Sequence, residues 1–271
     1  VQELVQGRFE SSAGTSAESL RKCFSKADLD PVSATYVLGK LAKARRPALA
    51  LATLRCFQIQ GLELNVIHYN VVVSACEKGE EWEEALGLLS SMARAAIQKD
   101  TITCSAAVSA CAKSGEWGQA LALLNWMDRD RIHIDTIAYN AAVSACAQGG
   151  WWEEAVALLS EMANDRIAMD TVTYNAAITA CEKGEEWAGA LALLSRMAQY
   201  RVEKSTITYN AIISACDKGG RWVEALARLS SMAEDTVLMD TITYGAAISA
   251  CEKFGEWVEA MALLSRMAEC R

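Results

Sequence analysis

The sequence predicts an all-α protein: a right-handed α-solenoid superhelix of 35-residue helix-turn-helix repeats. Three observations carry this. The chain aligns on itself without insertion or deletion from Val66, Thr101, Thr136, Thr171, Thr206 and Thr241, with a more divergent copy from Pro31. Hydrophobic residues make up 52% of the 271 residues while proline occurs only at Pro31 and Pro47, which favours uninterrupted helices. Within each unit the apolar residues return every three or four positions, the spacing of one helical face.

Residues 1–30 match the repeat poorly and read as an N-terminal cap or linker, with a capping helix over Ala17 to Ala27. The repeat array follows over 31–271, its last unit incomplete. A representative unit runs from Thr171 to Ser205, and its residues number the register 1 to 35. The first half of the unit sets Ala at 7 and 10, Ile or Val at 8 and Cys at 11 on one face, and the small residues permit close helix approach. Glycine closes this helix at position 14 in Gly79, Gly149, Gly184 and Gly219, where a left-handed residue is expected; Gly115 and Gly255 fall one place later. In the second half Trp at 17, Ala at 20, Leu at 21 and 24 and Met at 27 make an apolar stripe. Trp82, Trp117, Trp152, Trp187, Trp222 and Trp257 at 17, and Met92 through Met267 at 27, are read as core rather than as ligand contacts. A single hairpin cannot bury its own stripe, so the units must stack, and function belongs on the continuous surface that stacking makes.

Ten cysteines suggest a disulfide framework until their positions are read. Cys76, Cys111, Cys146, Cys181, Cys216 and Cys251 occupy position 11 of successive units. Equivalent turns of packed helices lie about 8–10 Å apart, too far for a bridge. With two histidines, His68 and His133, and no Cys-x-x-Cys, no zinc ligand set is available, so these cysteines read as small buried hydrophobes and no cofactor is expected. No apolar run is long enough to span a bilayer, so no membrane partner is expected.

A helical hairpin of 35 residues with Tyr-Asn at 4 and 5, Ala-Leu at 20 and 21, Met at 27 and Asp at 35 resembles the pentatricopeptide repeat, and the resemblance runs from Pro31 to the end. The family's usual Gly at 31 survives only as Gly61, residues such as Arg131 and Ile134 stand at 31 and 34, and Trp replaces a usual Leu at 17. The resemblance implies binding of single-stranded RNA, one base per repeat, read by positions 5 and 35, with an aliphatic residue at 2 wedged between bases.

On that basis the base-specifying pairs are Thr35 with Asn65, Asn70 with Asp100, Ser105 with Asp135, Asn140 with Asp170, Asn175 with Ser205, and Asn210 with Asp240. Gly245 offers no side chain. The family's pairing rules imply the site 5′-AUGUCU-3′. Taken without the resemblance, the same residues fit duplication of a helix-starting Asn and a helix-capping Asp. The wedges would be Val32, Ile67, Ile102, Ile137, Val172, Ile207 and Ile242, a row that equally suits packing at a helix start. Lys43, Lys78, Lys113, Lys183, Lys218 and Lys253 at position 13 would track phosphates; the other reading is a partner for the helix C-terminal dipole.

The formal net charge of −8 is unusual for a nucleic-acid binder. Much of the acid, including Glu83, Glu84, Glu153 and Glu154, opens the second helices, where the dipole favours it. No catalytic constellation or glycine-rich phosphate loop occurs, so the segment is expected to bind rather than to act as an enzyme. The resemblance implies work on mitochondrial or chloroplast transcripts, in processing, stability, editing or translation. The alternative is a helical scaffold for a protein or peptide partner, which an acidic surface suits.

Overall fold

The computed structural model describes residues 30–269, and the expected N-terminal cap over 1–30 lies outside them but for Asp30. Among the described residues are fourteen α-helices, two per repeat: α1 (Pro31–Lys43), α2 (Pro47–Ile59), α3 (Val66–Gly79), α4 (Trp82–Arg94), α5 (Thr101–Lys113), α6 (Trp117–Arg129), α7 (Thr136–Gly149), α8 (Trp152–Asn164), α9 (Thr171–Lys183), α10 (Trp187–Gln199), α11 (Thr206–Lys218), α12 (Trp222–Glu234), α13 (Thr241–Lys253) and α14 (Trp257–Glu269). No strand occurs among them, and no helix is long and apolar enough to cross a membrane. The chain divides into two compact units, one ending at Ala141 and the other beginning at Ala142, within α7.

Position 35 starts each first helix. The side chains of Asp30, Asp100, Asp135, Asp170, Ser205 and Asp240 each accept the N–H three residues on, and Asn65 accepts those of Ile67 and His68. Such caps satisfy donors that the helix leaves orphaned. Pro31 and Pro47 sit in the first turns of α1 and α2, where their missing N–H costs nothing.

Both helices of a repeat end in the same way, and the ends correct the sequence reading. The left-handed residue is at position 15, not 14: Arg45, Glu80, Gly115, Gly150, Glu185, Gly220 and Gly255 all have positive φ. Gly184 and Gly219 have ordinary φ of −80° and −77°. A second left-handed residue stands at position 31, in Gly61, Ala96, Arg131, Arg166, Arg201 and Thr236. After each, the next N–H reaches back five residues, as in Glu186 to the Cys181 carbonyl at 2.8 Å and Ile167 to the Met162 carbonyl at 2.8 Å. These are Schellman closures, which need the turn conformation more than they need glycine.

Within each unit the first helices pack on one another, as α1 on α3, α3 on α5, α9 on α11 and α11 on α13. Second helices pack on their own first helix and on the next repeat's first helix, as α4 does on α3 and α5, and α10 on α9 and α11. The core is the face read from the sequence: Ala107, Val108, Ala110 and Cys111 in one repeat, Ala177, Ile178, Ala180 and Cys181 in another, are all fully buried. In the second helices the buried stripe is 20, 23, 24 and 27, as in Ala155, Leu158, Leu159 and Met162. Position 21 from Leu86 to Leu226 and the tryptophans at 17 from Trp82 to Trp222 lie at its margin, half-buried, while Leu51 is buried and Trp257 and Met261 of α14 are exposed.

Glycine at 14 serves packing. A Cβ on Gly184 would lie 2.5 Å from Cδ1 of Trp152 and 2.9 Å from the Gly150 carbonyl oxygen, and one on Gly219 would lie 2.5 Å from Cδ1 of Trp187. The bare end of one first helix is thus the seat of the preceding repeat's tryptophan. Arg221 lies over the Trp187 ring, 4.5 Å from its centroid.

Candidate nucleic-acid interface

On a first helix, residues 2, 5, 9 and 13 follow one another at spacings of three and four and so share a strip of surface. Position 2 is open to solvent in every repeat: Val32, Ile67, Ile102, Ile137, Val172, Ile207 and Ile242 are 53–74% exposed. The packing reading of this row therefore does not hold. A row of solvated β-branched side chains is stiff and apolar, and it loses little conformational freedom on meeting a flat apolar partner.

Positions 5 and 35 of one repeat meet. Asn70 Nδ2 donates to Asp100 Oδ2 at 2.9 Å, Ser105 Oγ to Asp135 Oδ1 at 2.8 Å, Asn175 Nδ2 to Ser205 Oγ at 3.3 Å, and Asn210 Nδ2 to Asp240 Oδ1 at 3.1 Å. The first repeat differs, because the Thr35 hydroxyl donates to the Pro31 carbonyl and Asn65 is engaged as a cap. Asn at 5 lies a turn inside its helix, so capping belongs to position 35 alone. Ser105 is buried, whereas Asn70, Asn140, Asn175 and Asn210 are half-buried and keep an edge toward solvent.

The sequence reading missed position 3 of the following repeat. The hydroxyls of Thr103, Thr208 and Thr243 donate to Oδ1 of Asn70, Asn175 and Asn210 respectively, the last two at 2.6 Å. In these three repeats the pair of positions 5 and 35 is therefore one side of a three-residue cluster. Burial works to raise the Asp100 and Asp240 carboxyls, but hydrogen bonds from Thr103 and Thr243, hydroxyl and backbone, and from Asn70 and Asn210 outweigh it. Both carboxyls are held below their usual range, and they stay anionic and acceptor-only at neutral pH.

Position 12 was also missed. Lys113 pairs with Glu77 at 2.9 Å, Lys218 with Glu182 at 3.0 Å and Lys253 with Asp217 at 2.8 Å, each joining position 13 to position 12 of the preceding repeat. Where position 12 is Ala147, the next lysine, Lys183, donates instead to the Gln148 carbonyl at 3.2 Å. The lysine row is real, but carboxylates engage part of it. Both omissions have one cause: these partners stand 33 and 36 residues apart, beyond any local periodicity.

The cysteines are buried free thiols, Cys56, Cys76, Cys104, Cys111, Cys146, Cys181, Cys216 and Cys251 among the described residues. No group of His, Cys, Asp and Glu there is placed to hold a metal.

Three family models match the chain. That of a pentatricopeptide repeat-containing protein covers residues 33–162, that of the pentatricopeptide repeat domain 157–219, and that of the PPR repeat 207–237 and 242–271. Comparison with curated protein sequences finds no match. Among solved structures, the pentatricopeptide repeat protein PPR10 from maize is similar at a TM-score of 0.67 and 24% identity, over 93% of this chain and 37% of that one. PPR10 in complex with an 18-nt psaJ RNA element matches at 0.53 and 16%, over 97% and 44%. The PPR domain of Arabidopsis thaliana protein-only RNase P 1, in complex with tRNA, matches at 0.54 and 14%, over 60% and 86%. At these identities the likeness is one of fold, and this chain spans less than half the length of PPR10. Repeat length, hairpin architecture and family models converge: the chain belongs to the pentatricopeptide repeat family.

Proposed function

We infer that the chain binds single-stranded RNA sequence-specifically, one base to a repeat, through positions 2, 5 and 35. The observation that carries this reading is the hydrogen-bonded pair of positions 5 and 35, recurring beside an exposed β-branched residue at 2. A half-buried amide with one N–H and one lone pair unspent meets a base edge, and a stiff aliphatic group stacks against its face. The RNA complexes of PPR10 and of the RNase P domain support the same reading. Lysines at 13 follow the backbone phosphates. The chain acts as a binder rather than an enzyme, and chemistry on the transcript comes from another domain or partner. Its setting is a mitochondrion or chloroplast, in transcript processing, stability, editing or translation.

The site is 5′-AUGUCU-3′, the fifth base facing Asn175 and Ser205. Fluorescence anisotropy of this RNA, flanked by inert sequence, against a scrambled RNA and the DNA equivalent tests it. Changing Ser205→Asp turns the fifth pair from the combination for C into that for U, and preference at that base should reverse by about tenfold. Equal binding of all three nucleic acids would leave this strip of surface as a seat for a basic peptide, the reading that the acidic balance and the engaged lysines favour.

A further inference from the structure

Position 12 lies on the same strip as the candidate contacts. Seven residues are nearly two helical turns, so 12 stands below 5 on one face, about 10 Å along the axis, with 13 beside it. Glu77, Glu182, Asp217 and Glu252 occupy it in four repeats, and Ala42, Ala112 and Ala147 in the other three. A nucleotide whose base meets position 5 and whose phosphate meets the lysine at 13 carries its ribose between them, at the height of these residues.

Two of the carboxylates are open on one side. Glu182 Oε1 accepts from Ser214 Oγ at 2.7 Å and from Lys218 Nζ at 3.0 Å, and Glu77 Oε1 accepts from Lys113 Nζ at 2.9 Å. The Oε2 oxygen of each takes no bond from the protein and is not sealed from solvent. Asp217, a methylene shorter, is closed. Its Oδ1 is buried against Lys253 at 2.8 Å, its Oδ2 accepts the Ser249 hydroxyl at 3.3 Å, and only 13% of the side chain is exposed. In Glu77 and Glu182 the ion pair fixes where the carboxylate sits, so an open oxygen is presented without the freedom of a solvated side chain.

A carboxylate accepts hydrogen bonds and donates none. The phosphates of a nucleic-acid backbone repel it, and the one donor on that backbone is the ribose 2′-hydroxyl, which DNA lacks. A carboxylate set among phosphate-directed lysines therefore disfavours DNA and suits RNA. We propose that Glu77 and Glu182 accept ribose 2′-hydroxyls and so determine specificity for RNA over DNA at the second and fifth repeats, whatever base is read there. This rests on the RNA reading above, which gives the second nucleotide to the repeat of Asn70 and the fifth to that of Asn175.

The test uses six forms of the 5′-AUGUCU-3′ RNA, each with a single 2′-deoxy nucleotide, bound to the full chain and compared with the all-ribose RNA by fluorescence anisotropy. Removing the hydroxyl at the second or fifth nucleotide should weaken binding about fivefold, the scale of one bond to a charged acceptor at a half-open site. Removing it at the first, third, fourth or sixth, where Ala42, Ala112, Ala147 and the closed Asp217 stand, should change binding by less than about twofold. Glu182→Ala should abolish the penalty at the fifth nucleotide and keep that at the second, while Asp217→Ala, which removes a brace of the same kind, should leave all six values as they were. Affinity itself is not the readout, because Glu182→Ala also frees Lys218. A merely structural Glu182 would lower melting temperature in the variant and leave the fifth-nucleotide penalty in place. Equal penalties at all six nucleotides, none at the second and fifth, or a fifth-nucleotide penalty that survives in E182A overturn the proposal while sequence-specific binding stands. If the unmodified chain does not prefer the all-ribose RNA to a scrambled one, the RNA reading falls and the proposal falls with it.

Discussion

A left-handed backbone at a residue with a Cβ costs of the order of 1 kcal/mol, and this chain accepts that cost at most copies of position 31. The Schellman closures and the packed helices on either side impose the conformation. Arg166→Gly should therefore stabilise the protein, by up to about 1 kcal/mol after the extra unfolded-state freedom of glycine is set against it. Thermal unfolding reads this as a gain of a few degrees at most; a loss would show that the Arg166 side chain contributes more than its backbone costs. The thiols make a second expectation at this scale. Burial pushes Cys76 and Cys104 up to about 12 and Cys111, Cys146, Cys181 and Cys216 up to about 11, so almost no thiolate exists near neutral pH. Alkylation followed by peptide mapping should find these six unmodified in native protein and modified once it unfolds.

The helix is the scale at which most of the structure was legible from sequence. Its hydrophobic period placed both helices of every repeat, because burial on one face is a local pattern. The glycine at 14 was located but misread, since its reason lies in the neighbouring repeat's tryptophan. This separates two substitutions that helix propensity treats alike. A Cβ on Gly87, within α4, meets nothing within 4 Å, so Gly87→Ala should stabilise by about 0.5–1 kcal/mol. Gly184→Ala, driven into Trp152 and the Gly150 carbonyl, should destabilise by roughly 1–3 kcal/mol. Urea unfolding of both variants checks the contrast, and equal effects would remove the packing role assigned to position 14. Of the candidate site, the residues at 2, 5, 13 and 35 were legible by register. Their partners at 3 and 12 were not, because a hydrogen bond across 33 residues or an ion pair across 36 leaves no local trace.

Over the whole molecule the acidic balance and the lysine row meet in the ion pairs of Lys113, Lys218 and Lys253. The lysine ends are exposed while the Glu77, Glu182 and Asp217 side chains keep only 13–25% of their surface open, and Ser214 and Ser249 also donate to Glu182 and Asp217, so these pairs bear on packing as well as on the field that an incoming anion meets. Replacing Glu77, Glu182 and Asp217 with their amides should lower melting modestly, tighten RNA binding, and steepen its dependence on salt by up to about 0.7 per freed lysine in the logarithmic plot. An unchanged slope would mean that these lysines do not meet phosphate.

The threonine cluster bears on how such an array can be recombined. Residues 5 and 35 come from one repeat and residue 3 from the next, so the hydrogen-bonded cluster does not coincide with the 35-residue repeat. An exchange cut between positions 35 and 1 hands the recipient an asparagine whose hydroxyl partner stays behind. A transplanted cassette that begins at position 4 and ends after position 3 of the following repeat would carry the whole cluster with it.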